Sequence, residues 1–407
     1  MAAAKGIPFL DLITSHLELE EQLLDAVKGA LRTGMFIGGP VLEQFEREFA
    51  QFCDTKYCVG VSSGTDALRF ALMAADICNG DIVITVPNTF VATIEAIIQA
   101  GAVPHFVDVD QRTFNMSVEA LREYLETQCD RSDATGLLRH RDSGRIVRAV
   151  IPVHLYGQMC DMDPILALAE EFGLVVFEDA CQAHGSEYFS TKKGQWQKAG
   201  SIGKAAAFSF YPGKNLGACG EAGAVTTSDE ELAQRVQIIR DHGQNKKYHH
   251  VVEGYNGRLD AIQAAILRTK LPYLTEWNVR RRDVAATYNE LLRATEAMQR
   301  PWVPGWSRAV YHLYVICAER RSELQKCLAE NDIGTGLHYP IPLHLQPGYA
   351  HLGYRLGDFP VTEELANRIL SLPMYPQLSQ HQQQEVAKAL ARFYEAEIIG
   401  GNVPRLA

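Results

Sequence analysis

The 407-residue sequence lacks an unbroken apolar run of about 18 residues, which excludes a membrane-spanning helix. Its start, MAAAKGIPFLDL, lacks the apolar core of a signal peptide, because Pro8 and Asp11 interrupt it. Positive charge is in deficit: 39 Lys and Arg stand against 49 Asp and Glu, a net charge of −10. The chain therefore has no overall electrostatic footprint for nucleic acid or an anionic membrane. None of the nine cysteines forms a CxxC pair. Cys181 and His184 make one CxxH, but no second ligand pair accompanies it, so a metal site or a disulfide framework is not expected. The cysteines read as thiols of a reducing compartment, and the expected location is the cytoplasm. No GxGxxG follows any strand-like segment. The Gly-Lys pairs at 203–204 and 213–214 fail the phosphate-loop pattern, since Lys198 and Phe208 stand where its first glycine belongs.

What is present is ordinary enzyme composition, 47% apolar and 22% charged, in a chain long enough for two domains. Residues 1–39 read as an arm and one helix. Strand and helix patterns alternate over 40–255. YCVGV, DIVITVP, GAVPHFVDVD, RIVRAVIPV, GLVVFEDAC, AAAFSFY and GAVTTS are the strands. Several are apolar on both faces, which predicts a mostly parallel sheet covered by helices on both sides. Residues 128–145 are polar and read as an exposed loop, and 188–201 as a hairpin or loop. The segment 256–407 changes style. Helices over 259–275 and 277–297, a strand at 311–317, a helix at 321–331 and a strand at 333–339 predict a smaller α+β domain.

The candidate chemistry lies at strand ends, where open α/β sheets bind ligands. Gly60-Val61-Ser62-Ser63-Gly64 is GxSxG between a strand and a helix, which admits a hydrolase nucleophile at Ser62. The same turn offers the Gly64 and Thr65 amides to an anion. FEDACQAHG ends a strand in Asp179, with Gln182 three residues on. In SFYPGKNLGACG, Ser209 ends a strand and Lys214 follows a Pro-Gly turn. A lone Asp there is most often a turn residue, and a lone Lys a surface charge. Together they fit pyridoxal 5′-phosphate, which needs a lysine amine, a carboxylate opposite its ring nitrogen and a phosphate cradle. Lys214, Asp179, and Gly64, Thr65 and Ser209 fill those places, and Phe90 offers a flat ring to stack on the cofactor.

Over roughly Ile7 to Tyr394 the sequence resembles the DegT/StrS-type nucleotide-sugar aminotransferases, of aspartate-aminotransferase-like fold type I. The carriers are SSGTDAL, PNTFVAT, PVHLYGQ, EDACQAHG, FSFYPGKNLGACGEAGAV, YNGRLDAIQAAIL, HYPIPLHLQP and SLPMYP, in that order. The resemblance implies an α/β fold with a large, mostly parallel seven-stranded sheet and a smaller C-terminal α+β domain. It implies that Lys214 binds the cofactor aldehyde and shuttles protons, that Asp179 faces the ring nitrogen, and that Gln182 contacts the ring. Ser209, Gly64 and Thr65 match the phosphate binders, and Asn256 matches an Asn contributed by a neighbouring subunit. A homodimer with shared sites follows from that match. Arg258, His338 and Tyr339 match substrate-pocket positions, with His184 and Phe36 as further pocket candidates. Cys181 stands where the family often has Ala, and 128–145 looks like an insertion. The implied reaction moves the amino group of L-glutamate, by way of pyridoxamine 5′-phosphate, to a keto-sugar nucleotide. A dTDP-3-keto-6-deoxyhexose fits the motifs best, with 4-keto and 3-keto-uronic-acid sugar nucleotides as alternatives. The rival readings are a sugar dehydratase of the same fold, a hydrolase using Ser62, and a non-catalytic regulator.

Overall fold

The computed structural model describes residues 6–400, apart from positions 78, 133–135, 294 and 296. Its centre is a seven-stranded sheet: β1 (Tyr57–Val61), β2 (Ile82–Thr85), β3 (Val103–Phe106), β4 (Val147–Val150), β5 (Val175–Asp179), β6 (Ala205–Ser209) and β7 (Gly223–Thr227). The spatial order is β1-β7-β6-β5-β4-β2-β3. Only β7 runs against its neighbours, pairing antiparallel with both β1 and β6. The apolar runs read in the sequence are the cause. Pleating sends successive side chains to opposite faces. Ile82 and Ile84 therefore join one buried core, and Val83 joins another. Phe177, Ala205, Ala207 and Val225 share the Val83 side, packed under the Gly64–Ala74 and Glu230–Arg240 helices. Phe208 and Ala224 face the other way. There Phe45 and Phe49 of the Pro40–Phe52 helix close on them, and Phe49 meets Phe208 and Phe210 edge-on at 5.1 and 5.0 Å. Pro40 at the first helical position and apolar residues at steps of three and four explain that helix.

The C-terminal region builds its own antiparallel sheet from Met298–Gln299, Tyr314–Ala318 and Ile369–Leu372. A separate core from Val284 to Tyr394 covers it. The long helices preceding it are Ala261–Lys270 and Leu274–Leu291, joined by a 3₁₀ turn at Leu271–Tyr273 where Pro272 breaks the α pattern.

Three sequence expectations change and one is narrowed. The arm carries two helices, Leu12–Leu17 and Glu20–Thr33, because Asp11 caps the first through the Ile13 and Thr14 amides. The 128–145 segment is a hairpin, not a loop. Cys129–Arg131 pairs with Leu138–His140, Cys129 and Leu138 point inward, and Arg141 grips Asp130 through two 3.0 Å bonds. Its charged residues mask the two apolar ones that anchor it. The 188–201 segment takes the hairpin of its two expected forms, extended by Ser307–Arg308. Residues 333–339 form no strand. They make single bridges, Ile7 to Ile333 and Gly336 to Ser371, since Gly334 and Gly336 give a ladder no side chains to pack.

Several contacts tie the two regions, among them Phe106 to Tyr354, Met159 to Ser307 and one at Asp108. The Asp108 carboxylate, just past β3, accepts from the Val361 and Thr362 amides and the Thr362 hydroxyl, capping the Pro360–Arg368 helix. Asp108→Ala is expected to lower unfolding free energy by about 1–2 kcal/mol, as loss of a helix cap does, measured by urea denaturation. An unchanged midpoint would refute this role.

Candidate functional site

The carboxyl ends of β1, β5 and β6 open on one cavity of about 750 Å³. β1 ends at Val61, and Ser63 turns the chain into the Gly64–Ala74 helix by accepting from the Asp66 amide. Gly64 and Thr65, at that helix's N-terminus, line the cavity. The positive end of the helix dipole and its free amides make this an anion cradle. Ser209, at the end of β6, lines the same wall. The cradle admits no extra carbon: a Cβ on Gly64 would lie 2.6 Å from Ser209 Cβ and 3.0 Å from Cys181 Sγ.

Asp179 ends β5 and lines the cavity, almost wholly buried. Its Oδ2 accepts from the Thr93 hydroxyl at 2.8 Å, and its Oδ1 from the Cys181 amide at 3.2 Å. Thr93 is itself bonded to Thr89. Lys214 also lines the cavity, after the turn in which its amide donates to the Tyr211 carbonyl. Burial lowers the pKa of its amine, while Cys181 and Asp179 work against that shift. The Nζ atom has no hydrogen-bond partner among the described residues. Gln182 is tied at both ends, accepting from the Tyr156 amide at 2.7 Å and donating to the Tyr339 hydroxyl at 3.2 Å. Tyr339 and the half-exposed Phe90 face each other with ring centroids 5.7 Å apart. His338 lines the cavity, bonded through Nδ1 to the Ser371 hydroxyl at 2.8 Å. Burial, reinforced by the Lys214 charge, brings its pKa down to about 4.

The cavity thus gathers Gly64, Thr65, Phe90, Asp179, Gln182, Ser209, Lys214, His338 and Tyr339. Five candidates lie elsewhere. His184 is not a wall of the cavity. It is fully buried against Phe208 and Phe210 with Nε2 2.9 Å from the Ser209 carbonyl, and its pKa falls to about 3, by burial first. It lies two residues beyond Gln182, and its ring packs into the core. Asn256 and Arg258 lie outside the cavity of their own chain, with Arg258 bonded to Asp241 and Asn256, both at 2.7 Å. Phe36 is exposed on a loop whose neighbour Ile37 bridges Asp260. Ser62 also lies outside: its hydroxyl donates to Asp66, which is paired with Arg69.

Sequence reasoning missed Thr93, Phe9, His154 and His312. Thr93 lay inside a quoted motif, but nothing local linked it to Asp179, 86 residues away. Phe9 comes from the arm and stacks on His338 at 5.5 Å. His154 is paired with Glu178 at 3.0 Å beneath the site. Burial pushes the Glu178 carboxyl up, but His154 and the Gly200 and Gly203 amides hold it below its ordinary value.

The profile of the DegT/DnrJ/EryC1/StrS aminotransferase family matches residues 17–391. The chain belongs to that family. A pleiotropic regulatory protein of Geobacillus stearothermophilus is 42% identical over 96% of this chain and 99% of its own. A dTDP-3-amino-3,6-dideoxy-alpha-D-galactopyranose transaminase of Aneurinibacillus thermoaerophilus is 40% identical over 95% and 99%. The crystal structure of S. venezuelae DesV in complex with a ketimine intermediate superposes with a TM-score of 0.88 at 39% identity, covering 96% and 99%. This member of the DegT/DnrJ/EryC1/StrS family is an aminotransferase, and its cofactor is pyridoxal 5′-phosphate.

The residues present fit that group. The cradle that a Gly64 Cβ would fill suits a phosphate, and the buried Asp179 and unpartnered Lys214 amine line the same cavity. Gly64→Ala is expected to weaken cofactor binding roughly tenfold or more, the scale of an overpacked site. Equilibrium dialysis of the cofactor measures it, and unchanged affinity would place the phosphate elsewhere.

Proposed function

We propose that the protein transfers the amino group of L-glutamate to a dTDP-3-keto-6-deoxyhexose, giving a nucleotide-linked 3-amino sugar. The convergence of Lys214, Asp179 and the Gly64–Thr65 helix start on one cavity carries this reading. The substrate class is supported by the sugar-nucleotide transaminase of Aneurinibacillus thermoaerophilus.

When bound, pyridoxal phosphate supplies the electron sink that lets the donor's α-carbon give up its proton. Lys214 holds the cofactor first, then acts as base and acid, taking that proton on Nζ and returning it. Burial keeps the amine closer to its neutral form than a surface lysine, which a base requires. Asp179 keeps a proton on the ring nitrogen, and the Thr93 hydroxyl fixes the carboxylate's plane. Gly64, Thr65 and Ser209 hold the phosphate. Phe90 and Tyr339 bound the ring and exclude water, and Gln182 sets the height of Tyr339. His338 is a substrate-facing wall.

The working unit is a homodimer. Asn256 and Arg258, away from their own cavity, serve the partner's phosphate and the donor carboxylate. Met35, Phe36 and Ile37, 48%, 44% and 51% exposed beside Asp260, are apolar surface for that contact. The division proposed is an arm over 1–39, a cofactor-binding domain over 40–255 and a small domain over 256–407, which the separate Val284–Tyr394 core supports. The location proposed is the cytoplasm, supported by free buried cysteines such as Cys53, Cys58, Cys160 and Cys317.

One relative bears a regulator's name. A purely non-catalytic role would release Lys214 and Asp179 from selection, and both remain. The test incubates the enzyme with glutamate and a panel of keto-sugar nucleotides and locates the new amine by NMR. An amine at C3 of the dTDP-linked sugar is the expected result. An amine at C4 or on a uronic acid would replace the substrate, and no transfer to any sugar would overturn the reading.

A further inference from the structure

The SSGTDAL turn carries two side chains that the cofactor reading leaves unused, Ser62 and Asp66. Asp66 stands one residue beyond Thr65, in the first turn of the Gly64–Ala74 helix. Its amide donates to the Ser63 hydroxyl at 3.1 Å, so the cap occupies the amide just past the cradle. The Gly64 and Thr65 amides, which a helix cannot pair internally, stay open to an anion. A carboxylate in that same turn opposes the anion. A phosphate monoester carries close to two negative charges at neutral pH. Among the described residues, the cavity is lined by the Asp179 and Glu221 carboxylates and by one Lys or Arg side chain, that of Lys214. The proposed mechanism commits the Lys214 amine to the cofactor's aldehyde end. Beyond the helix dipole, positive charge for the phosphate is needed from behind the turn.

Arg69 supplies it. It lies three residues beyond Asp66, on the same helix face, and its Nη2 pairs with Asp66 Oδ1. Asp66 Oδ2 accepts the Ser62 hydroxyl, which fills the carboxylate's other end. The pair is largely withdrawn from water, with the Arg69 and Asp66 side chains 14% and 17% exposed, so solvent screens it weakly. Gly257 closes over it: a Cβ there would lie 3.5 Å from Asp66 Oδ2. The guanidinium is held in place from two further sides. Its Cζ lies 4.0 Å from the Tyr255 ring centroid, and its Nη1 donates to Gln99 Oε1 at 3.1 Å. We propose that Arg69 neutralises Asp66 so that the Gly64–Thr65 turn can hold the cofactor's phosphate. Arg69 does not line the cavity, and it is a positioning residue that acts through Asp66. The proposal rests on the reading that this turn takes the phosphate.

The test measures affinity on the full chain by equilibrium dialysis, with pyridoxal 5′-phosphate and with pyridoxal, which lacks the phosphate. Arg69→Gln leaves the Asp66 charge unpaired. It is expected to weaken pyridoxal 5′-phosphate binding roughly tenfold, within the range of a charge at a helix terminus, and to leave pyridoxal within about twofold. Asp66→Asn in the Arg69→Gln background removes the unpaired charge and keeps an acceptor for the Ser62 hydroxyl. It is expected to bring the affinity for pyridoxal 5′-phosphate back to within a few-fold of wild type. Equal losses for the two ligands would mark disturbed packing and overturn the proposal. No recovery in the double variant would overturn it too. Unchanged affinity in Arg69→Gln also overturns it, and Gly64→Ala then separates the two readings. A weakened Gly64→Ala enzyme keeps the phosphate at this turn and removes only the role of Arg69, whereas an unchanged one removes the phosphate site itself.

Discussion

Lys214→Ala is expected to abolish amino transfer while leaving a folded protein. The side chain makes no hydrogen bond to the described residues, so its removal breaks no network. On the proposed mechanism its amine performs both the attachment of the cofactor and the proton transfer, so the expected loss is at least that of a positioned acid–base group, about 10²–10⁴-fold. The visible absorption of the holoenzyme, which shifts when glutamate is added to the wild type, is expected to lose that response. The pH dependence has a definite sign. The base form is the neutral amine, and burial lowers the amine's pKa below its ordinary value of 10.5. The acidic limb of kcat must therefore fall below that value, and activity is lost as pH drops through the limb. A limb at or above the ordinary lysine value, or a Lys214→Ala enzyme that still transfers amine, would remove Lys214 from this role.

The second large effect is at Asp179. Asp179→Ala removes the carboxylate proposed to face the cofactor's ring nitrogen, and leaves the Thr93 hydroxyl without its acceptor. Breaking a buried charge pair of this kind costs about 3–5 kcal/mol, roughly a hundred- to several-thousand-fold in kcat/KM. Thr93→Val separates the two functions. It keeps the carboxylate and the side-chain shape but removes one hydrogen bond to it, so its loss is expected to be smaller, within about 1.5–3 kcal/mol. Single-turnover rates with glutamate measure both. A Thr93→Val enzyme as impaired as Asp179→Ala would show that Thr93 does more than hold the carboxylate.

The β–α alternation was legible because both-sided apolar strands and stepped helix faces leave strong patterns over short windows. β1 to β7 all fall within segments that read as strands, whereas the covering Glu230–Arg240 helix was not read. What failed was structure with weak local signal. The Cys129–His140 hairpin is held by two inward residues among charges, and the Ile369–Leu372 strand is defined by pairing with Tyr314–Ala318. The site divides the same way. Lys214, Asp179, Gly64 and Ser209 sit at strand ends or turns, where chain geometry announces a ligand. His184 was drawn into the pocket by its nearness to Gln182, yet it faces the core. The adjacent acids Glu178 and Asp179 show how fine the distinction is: one is locked below the site by His154, and the other opens on the cavity. Thr93 and His312 act through contacts 86 and 97 residues distant, to Asp179 and Asn215, which no motif window spans.

The reversed strand β7 has a consequence for synthesis. β1 lies at the sheet edge, and its partner strand in the sheet is β7, Tyr57 opposite Thr227 and Val61 opposite Gly223. A nascent chain emerging from the ribosome presents β1 long before that partner exists. Until Gly223–Thr227 has been made, the Gly64–Thr65 cradle rests on an unsupported edge. Chains stopped before β7 should therefore remain protease-sensitive around β1, and acquire protection abruptly once β7 clears the exit tunnel. Such long-range closure is intrinsically slow.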